Sequence, residues 1–215
     1  MRRAVWLLVL MTLYSTAYAA ESGRDILRRA LDLNAGVLDY TADVLVVMDL
    51  PGLQVPRRTA KVYFKRPDKV AVKSRGIVMI PKRAIMPGNL GSEITKDTRV
   101  DIASKSTVAG YTLYCLKLTD PNPKPEAERL MVWVRGDRYT VERMEVYTGQ
   151  RKNLGVTWTY QLIDGRYWMP LHLGARVFNW RTGTDKQGQG TVTVDFNNMR
   201  VNTGLKDDLF EEQKH

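Results

Sequence analysis

The chain is 215 residues long, with 44% hydrophobic residues, 33 basic side chains against 23 acidic ones and a formal net charge of +10. That length and apolar content suffice for one domain with a substantial core. The single cysteine, Cys115, excludes an internal disulfide, and the surplus of positive charge favours anionic partners.

Residues 1–19 carry a basic pair (Arg2, Arg3), an apolar run from Ala4 to Leu13 and the small-x-small pattern Ala17-Tyr18-Ala19. This is the layout of a cleaved secretory signal, with Ala20 starting the mature chain. The apolar run is well short of the roughly 20 residues that cross a bilayer, and no later segment reaches that length. No cysteine follows the cleavage point until Cys115, so residues 20–215 are expected to form a single soluble periplasmic domain without a lipid anchor. Removing Arg2 and Arg3 leaves 31 basic residues against 23 acidic, a formal +8. Export argues against nucleic acid as the partner of that charge and leaves phospholipid headgroups and acidic proteins.

Ser22 is placed to cap a helix through GRDILRRALDLNAGVL, in which Ile26, Leu27, Ala30, Leu31 and Leu38 recur at helical spacing. After it the period changes to two. Tyr40, Ala42, Val44, Val46, Met48 and Leu50 form one face of a first strand, ended by Pro51-Gly52. In RRTAKVYFKRPDKVAV (57–72), Ala60, Val62 and Phe64 alternate with Lys61, Tyr63 and Lys65, and a turn at Arg66-Pro67-Asp68 leads into Val70 and Val72. The same alternation carries Arg66 onto the apolar side. Two roles are open to it: a rim charge satisfied by backbone carbonyls or a carboxylate, or a working donor at the mouth of an apolar cavity. Between Arg57 and Arg75 stand eight basic residues and one acid, Asp68, either as a solvated face or as a docking surface.

The segment from Gly76 to Gly91 is greasy yet broken by prolines and glycines. Met79, Ile80, Ile85 and Met86 suit a lid or a cavity lining, methionine adapting to irregular apolar partners, or else a buried irregular connection. Strand patterns then follow at Tyr111–Leu118, Leu130–Val134, Tyr139–Tyr147, Val156–Leu162, Trp168–Phe178 and Thr191–Phe196. Gly136-Asp137, Thr148-Gly149 and Asp164-Gly165 supply turns. Closely spaced strands after one helix predict an α+β, mainly β domain: a strongly curved antiparallel sheet or half-open barrel with the helix on its concave face. Trp133 and Trp158 are expected in the core or the cavity wall, and Cys115 as a buried, inert thiol.

Catalytic chemistry is not signalled. The two histidines, His172 and His215, have no second ligand at metal spacing, and GxSxG, Gly-Lys-Ser/Thr and HExxH motifs are missing. Carboxylate pairs such as Glu126 with Glu128 or Asp207 with Asp208 fall in polar loops or near the tail. No catalytic residue, metal or cofactor is therefore expected.

The opening helix, the segment VYFKRPDKV, the run of strands and the closing TVTVDFNNMRVNTGLKDDLF resemble the periplasmic lipoprotein carrier family, the LolA-like, lipoprotein-sorting superfamily. The resemblance implies a half-open barrel holding acyl chains of lipoproteins or lipids under a helical lid, and a gating role for Arg66 beside Pro67. It also implies transfer toward the outer membrane by a monomer, with transient membrane contact, an inner-membrane exporter and an outer-membrane acceptor. Val70 stands where the family often has an aromatic residue. The lining would then comprise Val44, Val46, Met48, Val62, Phe64, Val70, Val72, Met79, Ile80, Ile85, Met86, Trp133 and Trp158. A specialised carrier serving a lipid exporter and an envelope-stress regulator that senses lipid or lipoprotein are the competing functions.

Overall fold

A computed structural model describes residues 21–52, 55–74, 94, 97–120, 128–181 and 187–211. Helix α1 (Gly23–Asp32) opens with the expected cap: Ser22 Oγ accepts from the Asp25 backbone N–H at 3.1 Å and donates to Asp25 Oδ2 at 2.6 Å. Ile26, Leu27 and Ala30 form its buried face. The helix is shorter than its apolar spacing predicts. It ends at Asp32, the chain winding on through turns closed by Ala35 N–H to Asp32 O and Val37 N–H to Asn34 O. Val37 is buried whereas Leu38 is 62% exposed, so the Leu38 position does not continue the apolar stripe.

Ten strands follow: β1 (Asp39–Asp49), β2 (Arg58–Lys65), β3 (Lys69–Ser74), β4 (Arg99–Val108), β5 (Tyr111–Thr119), β6 (Glu128–Arg135), β7 (Val141–Thr148), β8 (Arg151–Ile163), β9 (Tyr167–Arg181) and β10 (Gln187–Val201). They form one antiparallel sheet in the order β3-β2-β1-β10-β9-β8-β7-β6-β5-β4. The predicted turns are present, and Asp164 (φ 52) with Gly165 (φ 62) adopts the left-handed pair that a tight hairpin needs. Strand β4 is the element that periodicity misses. Only Val100 and Ile102 of its apolar residues pack on the core, a bulge follows at Ile102/Ser104, and its second half is exposed, as an edge strand permits.

The sheet is not closed, since β3 and β4 lie at opposite edges. It is nevertheless strongly curved. Ten strands laid flat would span about 43 Å at ~4.8 Å per strand. Yet Val62 and Phe64 of β2, Leu116 and Leu118 of β5 and the buried residues of α1 belong to one core. A single row of that inner face, Leu116–Val132–Met144–Val156–Ala175–Val192–Met48, crosses seven strands in register.

The first and last strands are pinned together at one end. Asp39 is buried, and its carboxylate accepts from the Thr203 N–H at 2.7 Å, Thr203 Oγ1 at 3.1 Å, the Gly204 N–H at 2.9 Å and the Leu205 N–H at 3.3 Å. Asp39→Ala removes the acceptor shared by three backbone donors and the Thr203 hydroxyl, and the expected loss is about 1–3 kcal/mol in urea unfolding. An unchanged unfolding midpoint would show that the tail is not fastened here.

On the outer face Glu145 is buried beneath its neighbours. Burial pushes its carboxyl up, but donors from Arg143, Lys152 (2.8 Å) and Tyr147 (2.5 Å) outweigh this and hold it at about 2, below the ordinary 4.5. A depressed folded value means that the contribution is complete above about 4.5 and is lost as pH falls from there through about 2. The unfolding free energy should therefore fall across that window, and Glu145→Gln should flatten the slope there, as read by denaturant titrations at several pH values.

Candidate functional site

The inner face of the sheet brings together most of the residues that the sequence singles out. Val44, Val46, Val62 and Phe64 are 0–3% exposed, and Met48, Val70, Val72 and Trp158 are partly buried against the same core. Cross-strand pairing places Trp158, Leu173, Val194 and Val46 in one row, and Val62 pairs with Val72 as Phe64 does with Val70. Tyr40 and Phe64 contact with ring centroids 5.5 Å apart. Met79, Ile80, Ile85 and Met86 lie outside the described residues.

Trp133 is a correction. It pairs with Cys115 and Arg143, whereas Val132 and Val134 on either side of it are fully buried in the core. Strict alternation therefore puts its indole on the outer face, under the Arg143 guanidinium at 4.5 Å. The period of two already carried this information; the size and apolarity of tryptophan masked it.

Arg66 occupies a turn at one end of this face. Its Nε donates to Val37 O at 2.8 Å and its Nη2 to Asn34 O at 2.9 Å, while the Arg66 backbone N–H donates to Leu38 O at 2.8 Å. The inward arginine thus holds the connection between α1 and β1. Both carbonyls belong to the turns that follow the helix, and the arginine fork bonds the two at once. The Arg66–Pro67 peptide is cis, and Pro67 itself is exposed. Asn34 Nδ2 donates to Trp168 O at 2.8 Å, and Asn202 Nδ2 to Gly36 O at 3.0 Å. Asn34 Oδ1 is buried without a partner, the least satisfied point of this connection.

The other end of α1 is tied to the far side of the sheet. Arg24 Nη2, in the first turn, donates to Thr98 O at 2.6 Å, and Arg29 Nη1, in the last turn, reaches Tyr139 Oη at 2.6 Å. Gly23 lies so close to β4 that a Cβ there would meet Val100 O at 3.1 Å. The helix is therefore a strap laid across the concave face, held by a few polar bonds at each end and by three buried side chains between them.

Among the described residues the remaining candidates do not come together as a catalytic centre. Cys115 is buried, which pushes its thiol up. Asp207 pairs with Lys65 at 2.7 Å and Lys69 at 3.0 Å, and His172 Nδ1 meets Asp195 Oδ1 at 2.6 Å. Among the described residues no group of three or more His, Cys, Asp or Glu could hold a metal, and no helix is long and apolar enough to cross a membrane.

No family model and no curated protein matches the chain. Solved structures do. A LolA superfamily protein from Nitrosomonas europaea matches with a TM-score of 0.58 at 13% identity, covering 89% of this chain and 98% of that one. The chain shares its fold with that LolA superfamily protein. A DUF1329 family protein from Desulfovibrio piger gives a TM-score of 0.59 at 15% identity, covering 89% of this chain and 98% of that one. An outer membrane lipoprotein-sorting protein domain from Vibrio parahaemolyticus gives 0.57 at 13%, covering 86% and 96% respectively. At these identities the likeness lies in the architecture, a LolA-type open sheet with a helix on its concave face.

Within this LolA-type fold the Arg66 fork is the most readily tested feature. Arg66→Leu should still fold, at a cost of about 1–3 kcal/mol, because two charge-assisted bonds are lost while the core is untouched. Amide exchange at Val37, whose N–H closes the turn on Asn34 O, should accelerate well beyond that of β6. Uniform protection across both regions would mean that the fork does not fasten the strap.

Proposed function

We propose that the protein is a non-enzymatic periplasmic carrier that takes acyl chains of a lipoprotein or lipid onto the concave face of its sheet and passes them toward the outer membrane. One observation carries the reading: a continuous apolar face, seven strands wide along one row, is covered by a short helix whose ends are fixed by separable polar bonds. A sheet that needed only a core would be served by a helix fixed through apolar contact alone. The sorting protein from Vibrio parahaemolyticus and the Nitrosomonas superfamily member share this architecture, which supports carriage without naming the cargo.

On this reading residues 20–215 are one binding domain, released from a signal peptide, and Arg66 is the gate. Opening exchanges two arginine bonds to Asn34 and Val37 for water and frees the strap at its β2 side. The exposed face then receives the cargo. An inner-membrane exporter and an outer-membrane acceptor are the partners such a route needs.

Native mass spectrometry of protein purified from a membrane-containing lysate should find bound lipid or lipoprotein, and a fluorescent fatty acyl probe should be displaced by it. Arg66→Leu should take up and release the probe several-fold faster than the unaltered protein. Protein that emerges free of lipid and never competes for the probe would sink the carrier reading.

A further inference from the structure

The opposite face of the sheet holds a depression that the carrier reading does not use. It has a volume of about 330 Å³ and lies across β7 to β10, with Gly155 and Gly174 in its lining. Cross-strand pairing arranges its walls in two adjacent rows, Arg143–Thr157–Gly174–Thr193 and Glu145–Gly155–Arg176–Thr191. Lys152 and Phe178 close one end, the ammonium 5.3 Å from the ring centroid. These side chains alternate with those of the inner row, two of whose residues, Val156 and Ala175, complete the lining.

Neither glycine is explained by the fold. Glycine in a strand interior costs about 0.5–1 kcal/mol and commonly marks a close approach by something else. Here neither has a positive φ. A Cβ at Gly155 would meet only Phe178 Cε2, at an ordinary 3.7 Å, and one at Gly174 would meet the Thr157 hydroxyl at 3.3 Å and His172 Nε2 at 3.6 Å. No backbone blocks a side chain at either position. The space above the floor is kept open at a cost in strand stability that no packing contact recovers.

The charge around that space is one-sided. Three cations, Arg143, Lys152 and Arg176, face one carboxylate, Glu145, which is already engaged by Arg143, Lys152 and Tyr147. Arg176 is exposed and forms no ion pair or hydrogen bond among the described residues. Thr191 and Thr193 add hydroxyl donors, while the Thr157 hydroxyl donates to Gly174 O at 3.3 Å. Guanidinium, ammonium and hydroxyl donors converging on one depression suit a tetrahedral oxyanion that accepts from several directions.

We propose that this outer-face depression binds a phosphate ester, seated over Gly155 and Gly174 and held by Arg176, with Arg143 and Lys152 alongside. The site is independent of the acyl face, so it stands or falls apart from the carrier function. The same chemistry is offered by a soluble organic phosphate and by the headgroup of an anionic lipid, and two arms of one experiment separate them.

Calorimetric titration with glycerol 3-phosphate at low ionic strength forms the first arm; cosedimentation with phosphatidylglycerol vesicles, against phosphatidylcholine vesicles, forms the second. Binding in the first arm assigns a soluble ester, and binding confined to phosphatidylglycerol assigns a headgroup. Arg176→Gln should weaken whichever is found by about tenfold. Gly155→Val should abolish it while leaving the melting temperature unchanged or higher, because a β-branched side chain fills the floor and favours the strand. Arg200→Gln, a charge change outside the depression, should have little effect. Absence of binding in both arms overturns the site, and so does equal weakening by Arg200→Gln and Arg176→Gln, which would reduce the effect to overall charge.

Discussion

An antiparallel sheet with one apolar face must bury that face, and a sheet that does not close cannot do so by itself. Here β3 and β4 each lack a second neighbour among the described residues and lie at opposite edges, so curvature brings Val62 and Leu116 into one core. A closed barrel would have removed both edges and filled its own interior. The open form instead depends on α1, and α1 depends on the bonds that hold its two ends. The exposed edges are blunted by charge, Lys69 and Lys73 on β3 and Arg99 and Lys105 on β4, which discourages pairing with another chain.

The period of two made nine of the ten strands legible, because a sheet covered on one face and charged on the other imprints that pattern directly on the chain. β4 escaped because an edge strand with one half exposed needs little apolar residue, and its bulge breaks the alternation where it would have been visible. The end of α1 was misplaced for a different reason. Apolar spacing continues to Leu38, but the carbonyls of Asn34 and Val37 are claimed by Arg66, a residue about thirty positions away whose reach no local pattern encodes. Arg66 could be placed on the apolar side from its strand; its partners could not be named, since they are backbone atoms.

Glu145 illustrates the same limit from the outer face. In sequence it is an ordinary polar residue alternating with Met144 and Val146. Its burial is made by Arg143, Tyr147 and Lys152, which converge only when β7 and β8 pair. The depression beside it is likewise assembled from two to four residues on each of four strands, so neither a motif nor a composition shift announces it. Trp133 belongs to this surface too: its ring supports Arg143, which supports Glu145, so the outer face has a packed order of its own above the inner core.

The size of α1 bears on what can displace it. Burying Ile26, Leu27 and Ala30 contributes about 5 kcal/mol, at roughly 1.5–3 for each large side chain and less for alanine. An acyl chain of fifteen methylenes gains about 12 kcal/mol on leaving water. The polar bonds at the two ends of the helix are replaced by bonds to water on opening, each at a net cost of about 1 kcal/mol. On the proposed carrier function, the strap is therefore strong enough to cover the apolar face when nothing else does and weaker than the hydrocarbon that would take its place. A longer helix, of the length that the apolar spacing to Leu38 suggests, would have shifted that balance toward a permanently closed core.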